Sequence, residues 1–593
     1  MSKYFLAPCR AALTMLAWTL PVILAQQPPS PALTQPGSPQ ETVSQRRPAD
    51  PATTTLVPPV RPFRLPTRIG VETQMEITLD QALAMALANN KDIESSRIDR
   101  LESEYTLTAA QGAFDPQLNV SSYWEQQINP VASALGGSST GSLLNKTWLA
   151  DPGLTQPLPW FGGSLKTDLS SESAFSNNTF LSLNPQYPTS LNFSYTQPLW
   201  RNLLYDSNRH QIDVAKKNRF LTDEQFRQRV MTVVLQAEQG YWELAYAYNN
   251  LQVQLEAVRI GIQQDESNRR QEEQGLLAPI DVVAAQTQLA NFEVGAYTGQ
   301  SALTSAENSL KELILPERSD SMWSTALIPV TPPDVKPPLI PLADAIAEAM
   351  ANRPEIAQVR INGEINEKDV RYYRDQTKPQ VNLTAFYTRA GLAGVLLPPG
   401  PNPFTAAFGP LTDRLDQLSA IAGLPPLSGV SFGGGTIPGL LIGNYGQSLA
   451  TIGGGNFPTT EVQLSISLPI RNRTADANLG KSLAETRRIR NQRQQTEQNV
   501  QSDVRTGMEN VQMAQLRLQA AQVARQSAEE QYQSEQRQFR AGTSTLFLVQ
   551  QRQATMITAR SQERRSEADM SEAIALFQLA TGTILTERNI SLK

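Results

Sequence analysis

The chain has 593 residues, a formal charge of −5 and a mean hydropathy of −0.33. Charge of both signs is dispersed along it, which excludes the concentrated basic face of a nucleic-acid binder, so no nucleic-acid partner is expected. A hydrophobic fraction of 40% is too low for a polytopic helical membrane protein.

The N-terminus reads as a secretory signal over residues 1–25. Lys3 and Arg10 form its basic flank, AALTMLAWTLPVIL (11–24) its apolar core, and cleavage is expected after Ala25. An apolar core of about 14 residues is short of the roughly 20 that a membrane span needs. Cys9, the single cysteine, precedes that core, so the mature chain has neither a disulfide nor a lipid-anchor cysteine. Residues 26–75 begin with QQPPSPALTQPGSPQ and are expected to be a Pro-rich disordered tether.

An internal repeat organises the rest. ITLDQALAMALANNKDI (77–93) and IPLADAIAEAMANRPEI (340–356) agree at eight of 17 positions, and DPQLNV (115–120) matches KPQVNL (378–383) in the same register. The first repeat spans 76–330, a Pro-rich connector 331–341, the second repeat 342–585 and a tail 586–593. Each half is expected to hold a helix (78–112; 342–376), a strand (116–125; 379–388), a large loop and a second strand (189–199; 460–470). A long helix (205–274; 475–540), a Gly-containing break and a last helix (280–314; 546–581) complete it. GSLKTDLSSESAFS (163–176) adds a strand-pair signal that the sequence does not place.

The long helices carry a coiled-coil stripe. In the first, Phe226, Val230, Val233, Ala237, Tyr241, Leu244, Tyr248, Leu251, Leu255, Val258 and Ile262 recur at steps of four and three. One stutter between Val233 and Tyr241 relaxes the supercoil, which suits a nearly straight wall of helices. At 1.5 Å per residue such a helix is about 100 Å long, more than a compact bundle uses. The strands alternate instead. Leu191, Phe193 and Tyr195, and likewise Val462, Leu464 and Ile466, form one apolar face, with Asn, Ser, Thr and Gln opposite. Apolar-out, polar-in alternation is the signature of a transmembrane barrel strand, and those six residues are the expected lipid-facing set. Four strands from one chain cannot close a sheet, and open edges are not tolerated in lipid, so several chains must close it together.

The order of these segments resembles the TolC family of outer-membrane efflux proteins. The residues that carry the likeness are TLDQALAMALANN (78–90), PLADAIAEAMANR (341–353), QPLWRN (197–202) and FRAGTSTLFLVQQRQA (539–554). The resemblance implies a mixed membrane β-barrel plus long α-helical barrel: a homotrimer with a twelve-stranded barrel, four strands per protomer, over a twelve-helix periplasmic tunnel. It implies a mixed belt, to which Trp323–Pro338 and the chain ends contribute. It also implies outer-membrane lipid around the barrel and two protein partners, a periplasmic adaptor and an inner-membrane transporter of RND, ABC or MFS type. The helix breaks become the periplasmic tip, with Gly275, Leu276, Leu277, Gly542, Thr543 and Ser544 as the adaptor-docking residues. Acidic residues after the second glycine, common in the family, are replaced here by Ser544, Leu548 and Gln551. The expected aperture is therefore Asp281 with a Leu548/Gln551 constriction.

Catalytic chemistry has no foothold. His210 is the single histidine, no phosphate-binding G-x-x-x-x-G-K-[ST] occurs, and acid pairs such as Glu272/Glu273 fall on polar helix faces. No enzyme, metal or cofactor is expected. The function that the resemblance implies is the exit duct of a tripartite efflux or type I secretion complex, and the lack of any catalytic constellation makes that duct passive. The competing reading is a structural or adhesive envelope protein that uses coiled-coil rods as a spacer, which would have no use for two matched helix hairpins.

Overall fold

A computed structural model describes residues 62–132, 137–138, 141–333, 335–398, 403–426 and 436–591. The expected signal segment, and the expected tether as far as residue 61, lie outside the described residues. In chain order the first half contains β1 (Thr73–Ile77), α1 (Leu79–Asn89), α2 (Lys91–Gln111), β2 (Gln117–Pro130), β3 (Ser142–Pro157), β4 (Ser164–Ser176), β5 (Leu183–Pro198), α3 (Ser207–Glu273) and α4 (Pro279–Ile314). The second contains β6 (Thr325–Pro329), α5 (Leu342–Asn352), α6 (Pro354–Gln376), β7 (Gln380–Leu396), α7 (Pro403–Ile421), α8 (Tyr445–Gly454), β8 (Pro458–Ser467), α9 (Arg473–Arg540), α10 (Leu546–Thr581) and α11 (Ile584–Glu587).

The helices keep the repeat closely. α3 and α9 have 67 and 68 residues, and α4 and α10 have 36 each. The expected single helices 78–112 and 342–376 are each two helices. Asn90 leaves helical geometry (ψ 128°), and its Oδ1 accepts from Asp92 N and Ile93 N, capping α2. Its Nδ2 donates to Leu313 O (3.3 Å) while Asn89 Nδ2 donates to Ile314 O (2.9 Å), so α2 continues the axis of α4 across a polar splice. In the second half Pro354 bars a continuous helix, since the residue before proline is driven extended, and Arg353 has ψ 124°. Arg353 Nη1 donates to Ala580 O (3.4 Å) near the end of α10, so α6 is spliced onto α10 likewise. One chain thus supplies four columns: α4 with α2, α3, α10 with α6, and α9. The first two columns pack together, α3 packs on the third, and α9 packs on the third from the other side.

The coiled-coil stripe is the packing face. Phe226, Val230, Val233, Ala237, Tyr241, Leu244, Leu251 and Val258 are buried on α3, as are Val504, Val511, Leu518, Ala521, Ala528 and Tyr532 on α9. Glycine lets the helices of each half pack closely. A Cβ on Gly261 would sit 3.1 Å from Leu289, one on Gly240 3.4 Å from Leu310, and one on Gly507 3.5 Å from Phe577. At mid-height a belt closes around α3, where β1 and β6 pair in parallel from Thr73↔Thr325 to Ile77↔Pro329. Tyr241 reaches this sheet: its hydroxyl donates to Ile77 O (3.2 Å) and accepts from Thr331 N (2.9 Å). Below it, buried Glu307 receives Lys311 Nζ (2.7 Å) and Arg68 Nη2 (2.8 Å), and Lys311 also donates to Trp323 O. The last part of the expected tether is therefore ordered. Phe63 meets Tyr297, and Pro66 O accepts from Gln300 Nε2 at 2.7 Å.

The sheet departs most from expectation. Its order is β2-β3-β4-β5-β7-β8, antiparallel throughout, so the chain contributes six strands where the family likeness implied four. Three copies of a six-stranded sheet cannot make the twelve-stranded barrel. The sequence hid β3 because Asp151-Pro152-Gly153 stands in its interior, a combination that ordinarily marks a turn. Here the β3–β4 ladder passes from Ala150↔Ser171 to Gly153↔Asp168, leaving the proline, which has no N–H, outside it. The expected loop 391–458 also holds structure. α8 lies on β5 and β7 at the end of the sheet far from the long helices, with Ser448 Oγ bonded to Tyr187 O and Thr189 Oγ1 (2.6 Å each). Gly391 permits this, because any Cβ there would meet Ser448 O at 2.4 Å.

Candidate functional site

Two features position the chemistry of a conduit: a two-faced sheet and, at the opposite end of α3 and α9, a pair of helix hairpins. Directly opposed residues in an antiparallel ladder point to the same face, so the register assigns faces across all six strands. Leu191, Phe193 and Tyr195 of β5 stand opposite Arg389, Tyr387 and Ala385 of β7, and Ala385 in turn opposite Val462 of β8. The six expected lipid-facing residues, which include Leu464 and Ile466, therefore share one face. That face continues through Leu165 and Leu169 of β4, Trp148 and Leu154 of β3, and Leu118, Val120, Trp124 and Ile128 of β2. It is apolar and open to the surroundings: Val462 is 68% exposed, Ile466 66% and Trp124 65%. Against water a patch of this extent would be a liability, whereas in hydrocarbon it is the required surface.

The opposite face is polar. It gathers Asn119, Ser121 and Glu125 from β2, Asp151 from β3, Lys166, Asp168 and Glu172 from β4, Asn192 and Ser194 from β5, Thr388 from β7 and Glu461 from β8. Asn192 links three strands, donating to Asp168 Oδ2 (2.7 Å) and accepting from Thr388 Oγ1 (2.9 Å). At the helix-side rim of the sheet, Trp160, Phe161 and Trp200 are exposed, the aromatic level expected where a barrel meets the membrane surface. Below that rim the halves are stitched by polar contacts between α3 and α6. His210 Nε2 bonds Asp369 (2.7 Å) and its ring stacks on Tyr372 at 4.6 Å, and Lys217 meets Glu364 at 2.6 Å, holding that carboxylate below its usual pKa. The single histidine thus joins two columns.

The hairpins at the other end match in detail. α3 ends with Gly275 at φ 75°, Gly275 N bonding Glu272 O and Leu276 N bonding Gln271 O, both at 2.8 Å. α9 ends with Gly542 at φ 76°, where Gly542 N bonds Phe539 O and Thr543 N bonds Gln538 O, both at 3.0 Å. This is the same left-handed cap twice, a conformation that costs glycine least. The next helices start on Pro279, and on Thr545, whose hydroxyl accepts from Leu548 N. Leu276 is exposed and Leu277 half-buried; Thr543 is exposed, and Ser544 bonds Glu535. Asp281 sits in the first turn of α4, where a carboxylate complements the helix dipole, while Leu548 and Gln551 are exposed at the start of α10. Within one chain Asp281 and the Leu548/Gln551 pair stand on different helices, on either side of α3.

Sequence reasoning flagged 163–176 as an unplaced strand pair, where the single strand β4 lies, and it missed β3, the rim aromatics Trp160 and Phe161, and the buried Arg68–Glu307–Lys311 cluster. The rim was within reach, since an aromatic pair followed by Gly162-Gly163 is a turn signal at a strand end.

Among the described residues no helix is long and apolar enough to cross a membrane, and no group of metal-binding side chains occurs. No curated protein matches the sequence. Among solved structures, the Campylobacter jejuni CmeC outer membrane channel is similar at 14% identity and a TM-score of 0.58, over 91% of this chain and 99% of that one. The outer membrane protein VceC of Vibrio cholerae is similar at 14% identity and a TM-score of 0.56, over 85% and 96%. The MtrE outer membrane channel of Neisseria gonorrhoeae gives 13% identity and a TM-score of 0.52, over 86% and 89%. These likenesses show the fold. The family described as Outer membrane efflux protein matches residues 82–314 and 440–583, more than half of the chain. The chain therefore belongs to the outer membrane efflux protein family, as an outer-membrane efflux channel with a periplasmic helical extension.

Proposed function

We propose that three copies close around one axis, joining their sheets into a barrel and their four columns each into a twelve-helix tunnel, and that this trimer is the exit duct of a tripartite pump. The observation that carries the reading is the pair of open edges. Among the described residues β2 pairs only with β3 and β8 only with β7, while the apolar face runs out to both edges. Unpaired backbone in hydrocarbon costs several kcal/mol per group, so each edge needs a partner. β2 ascends from the helix-side rim and β8 descends to it, so β2 of one copy meets β8 of the next antiparallel. A spacer would have no use for the polar inner face.

With no nucleotide site or catalytic cluster to supply energy, the duct is passive. The driving force comes from an inner-membrane transporter of RND, ABC or MFS type, coupled through a periplasmic adaptor. Adaptor tips dock on the hairpins at Leu276, Leu277, Thr543 and Ser544, beside the two capping glycines. Asp281, Leu548 and Gln551 narrow the aperture, Asp281 favouring cations and the Leu548 level resisting wetting. Native mass of the detergent-extracted protein tests the trimer: three copies are expected, and a monomer or a lumen-less bundle overturns the proposal. Single-channel recording tests the aperture. Leu548→Ser is expected to raise conductance severalfold and Asp281→Asn to lower cation preference; two unchanged traces would remove both residues from the gate.

A further inference from the structure

The barrel wall and the tunnel wall come from the same chain, but their strand and column numbers are independent. We propose that the β3–β4 hairpin is a membrane-spanning insert, and that the trimer closes an eighteen-stranded barrel as wide as its helical tunnel. This rests on the trimeric reading above, with six strands per copy.

Four observations place the hairpin in the wall. First, its ladders extend along the strands. β2 and β3 pair from Gln117↔Thr155 to Pro130↔Ser142, β3 and β4 from Pro157↔Ser164 to Asn145↔Ser176 with a gap at Asp151 and Pro152, and β4 and β5 from Ser164↔Thr196 to Ser171↔Thr189 and again at Ala174↔Gln186. β3 and β4 have 16 and 13 residues. At about 3.4 Å per residue and a tilt near 40° they rise roughly 34 Å or more, past the ~25 Å apolar band of a membrane barrel. Second, β2 reaches β5 only through the hairpin, so the pair cannot peel away without tearing the sheet. Third, both inserted strands follow the sheet's faces, Trp148, Leu154, Leu165 and Phe175 on the apolar side, with Lys146 opposite Phe175 as its charged exception toward the outer end, and Asp151, Lys166, Asp168 and Glu172 on the polar side. Fourth, the connecting turn is built into the rim. Gln197 Nε2 donates to Phe161 O (2.7 Å), and Gly162 packs so closely that a Cβ would meet Asn202 O at 2.4 Å.

Dimensions give the insert a purpose. With columns 8–10 Å apart, a twelve-helix tunnel has a wall radius of about 15–19 Å. With strands ~4.8 Å apart and tilted ~40°, a twelve-stranded barrel has a radius of about 12 Å, and an eighteen-stranded one about 18 Å. Two extra strands per copy remove the step between tunnel and barrel. They also keep every seam antiparallel, because a pair restores the direction of the chain. Allowing ~6 Å for side chains, the clear lumen radius grows from about 6 Å to about 12 Å. The barrel then does not sieve cargo, which leaves size selection to the hairpin tip, and the outer vestibule admits solutes as broad as the tunnel.

Expected removal of Cys9 with the leader leaves a cysteine-free chain for labelling. Ser194→Cys places a thiol on the polar face, opposite Lys166 and Phe386. Trimers in liposomes, with the sheet end outward, are treated with maleimide-polyethylene glycols of graded size. A reagent of about 9 Å radius enters a lumen of about 12 Å and not one of about 6 Å, so it is expected to label measurably, roughly tenfold or more slower than a small maleimide because of steric partitioning. No labelling by that reagent while the small maleimide reacts to completion would mean a narrow barrel and overturn the proposal. Strand counting by electron cryomicroscopy of the same unmodified trimers is the second measurement. Eighteen strands support the proposal, and a trimer with twelve and the hairpin outside the wall overturns it alone. A molecule that is not a trimer removes the reading beneath it as well.

Discussion

The two halves of the chain descend from one plan, yet they diverge unevenly. Helix lengths are conserved to within two residues, 11 and 11 for α1 and α5, 21 and 23 for α2 and α6, and the hairpin caps match bond for bond. The strands are not: the first half contributes four to the sheet and the second two. The difference teaches where length is constrained. Each long helix must register with the helices packed along it, so an added turn would displace many buried stripe residues at once. A sheet grows sideways, and a full-length pair adds width without altering any existing ladder.

The comparison extends to mid-height chemistry and can be broken there. α4 and α10 have equal lengths, so Glu307 and Lys311 hold the places of Ile574 and Gln578. Lys311→Met strips buried Glu307 of its nearest cation and should cost roughly 3–5 kcal/mol, whereas Gln578→Met should cost about 1 kcal/mol or less. Chemical unfolding of the detergent-solubilised protein checks this, and equal losses would mean that the halves do not differ as described. The two sheet faces offer the next contrast. Phe193→Arg should cost about 2–4 kcal/mol in lipid and Ser194→Arg under about 1 kcal/mol, read from unfolding midpoints in vesicles. Equal costs would erase the assignment of faces.

A smaller effect depends on pH. Burial pushes the Glu572 carboxyl on α10 from its usual 4.5 up to about 7, with Glu243 and Asp569 adding to the rise and Arg565 opposing it. The folded chain therefore holds a proton that the unfolded chain has released. Stability is full below pH 4.5, falls as pH rises toward 7 and levels above it. Partial exposure limits the swing to about 1–2 kcal/mol. Glu572→Gln should flatten it, as thermal melts from pH 5 to 8 would show; an unchanged slope would assign the titration elsewhere. The smallest change sharpens the helical symmetry. A Cβ on Gly507 meets only ordinary contacts at 3.5 Å or more, so Gly507→Ala should raise stability by about 0.5–1 kcal/mol through helix propensity. A loss instead would show that the α9–α10 approach has no slack.

Some of this architecture was legible because its signals are local. Most of the residues at steps of four and three along α3 are buried, Tyr248, Leu255 and Ile262 being half-buried, and the alternation of Leu191, Phe193 and Tyr195 names one apolar face. Gly275 and Gly542 announce the hairpins, because their left-handed φ has few alternatives. β3 was not legible, since Pro152 and Gly153 imitate a turn and only the missing β3–β4 rung shows why they are tolerated. Nor was the splice at Asn90. An asparagine inside a helical pattern reads as a weak interruption until the carbonyl ends of α4 appear beside it.

Taken alone, the sequence determined periods: which segments are helix or strand, which stripe or face is apolar, and that the plan occurs twice. Those follow from backbone geometry, which every residue reports locally. Tertiary structure decided the numbers, namely six strands in the sheet, four columns from six helices, and a buried ion cluster at Glu307 in one half alone. These depend on which distant segments meet, and long-range pairing leaves no periodic trace in the residues that make it.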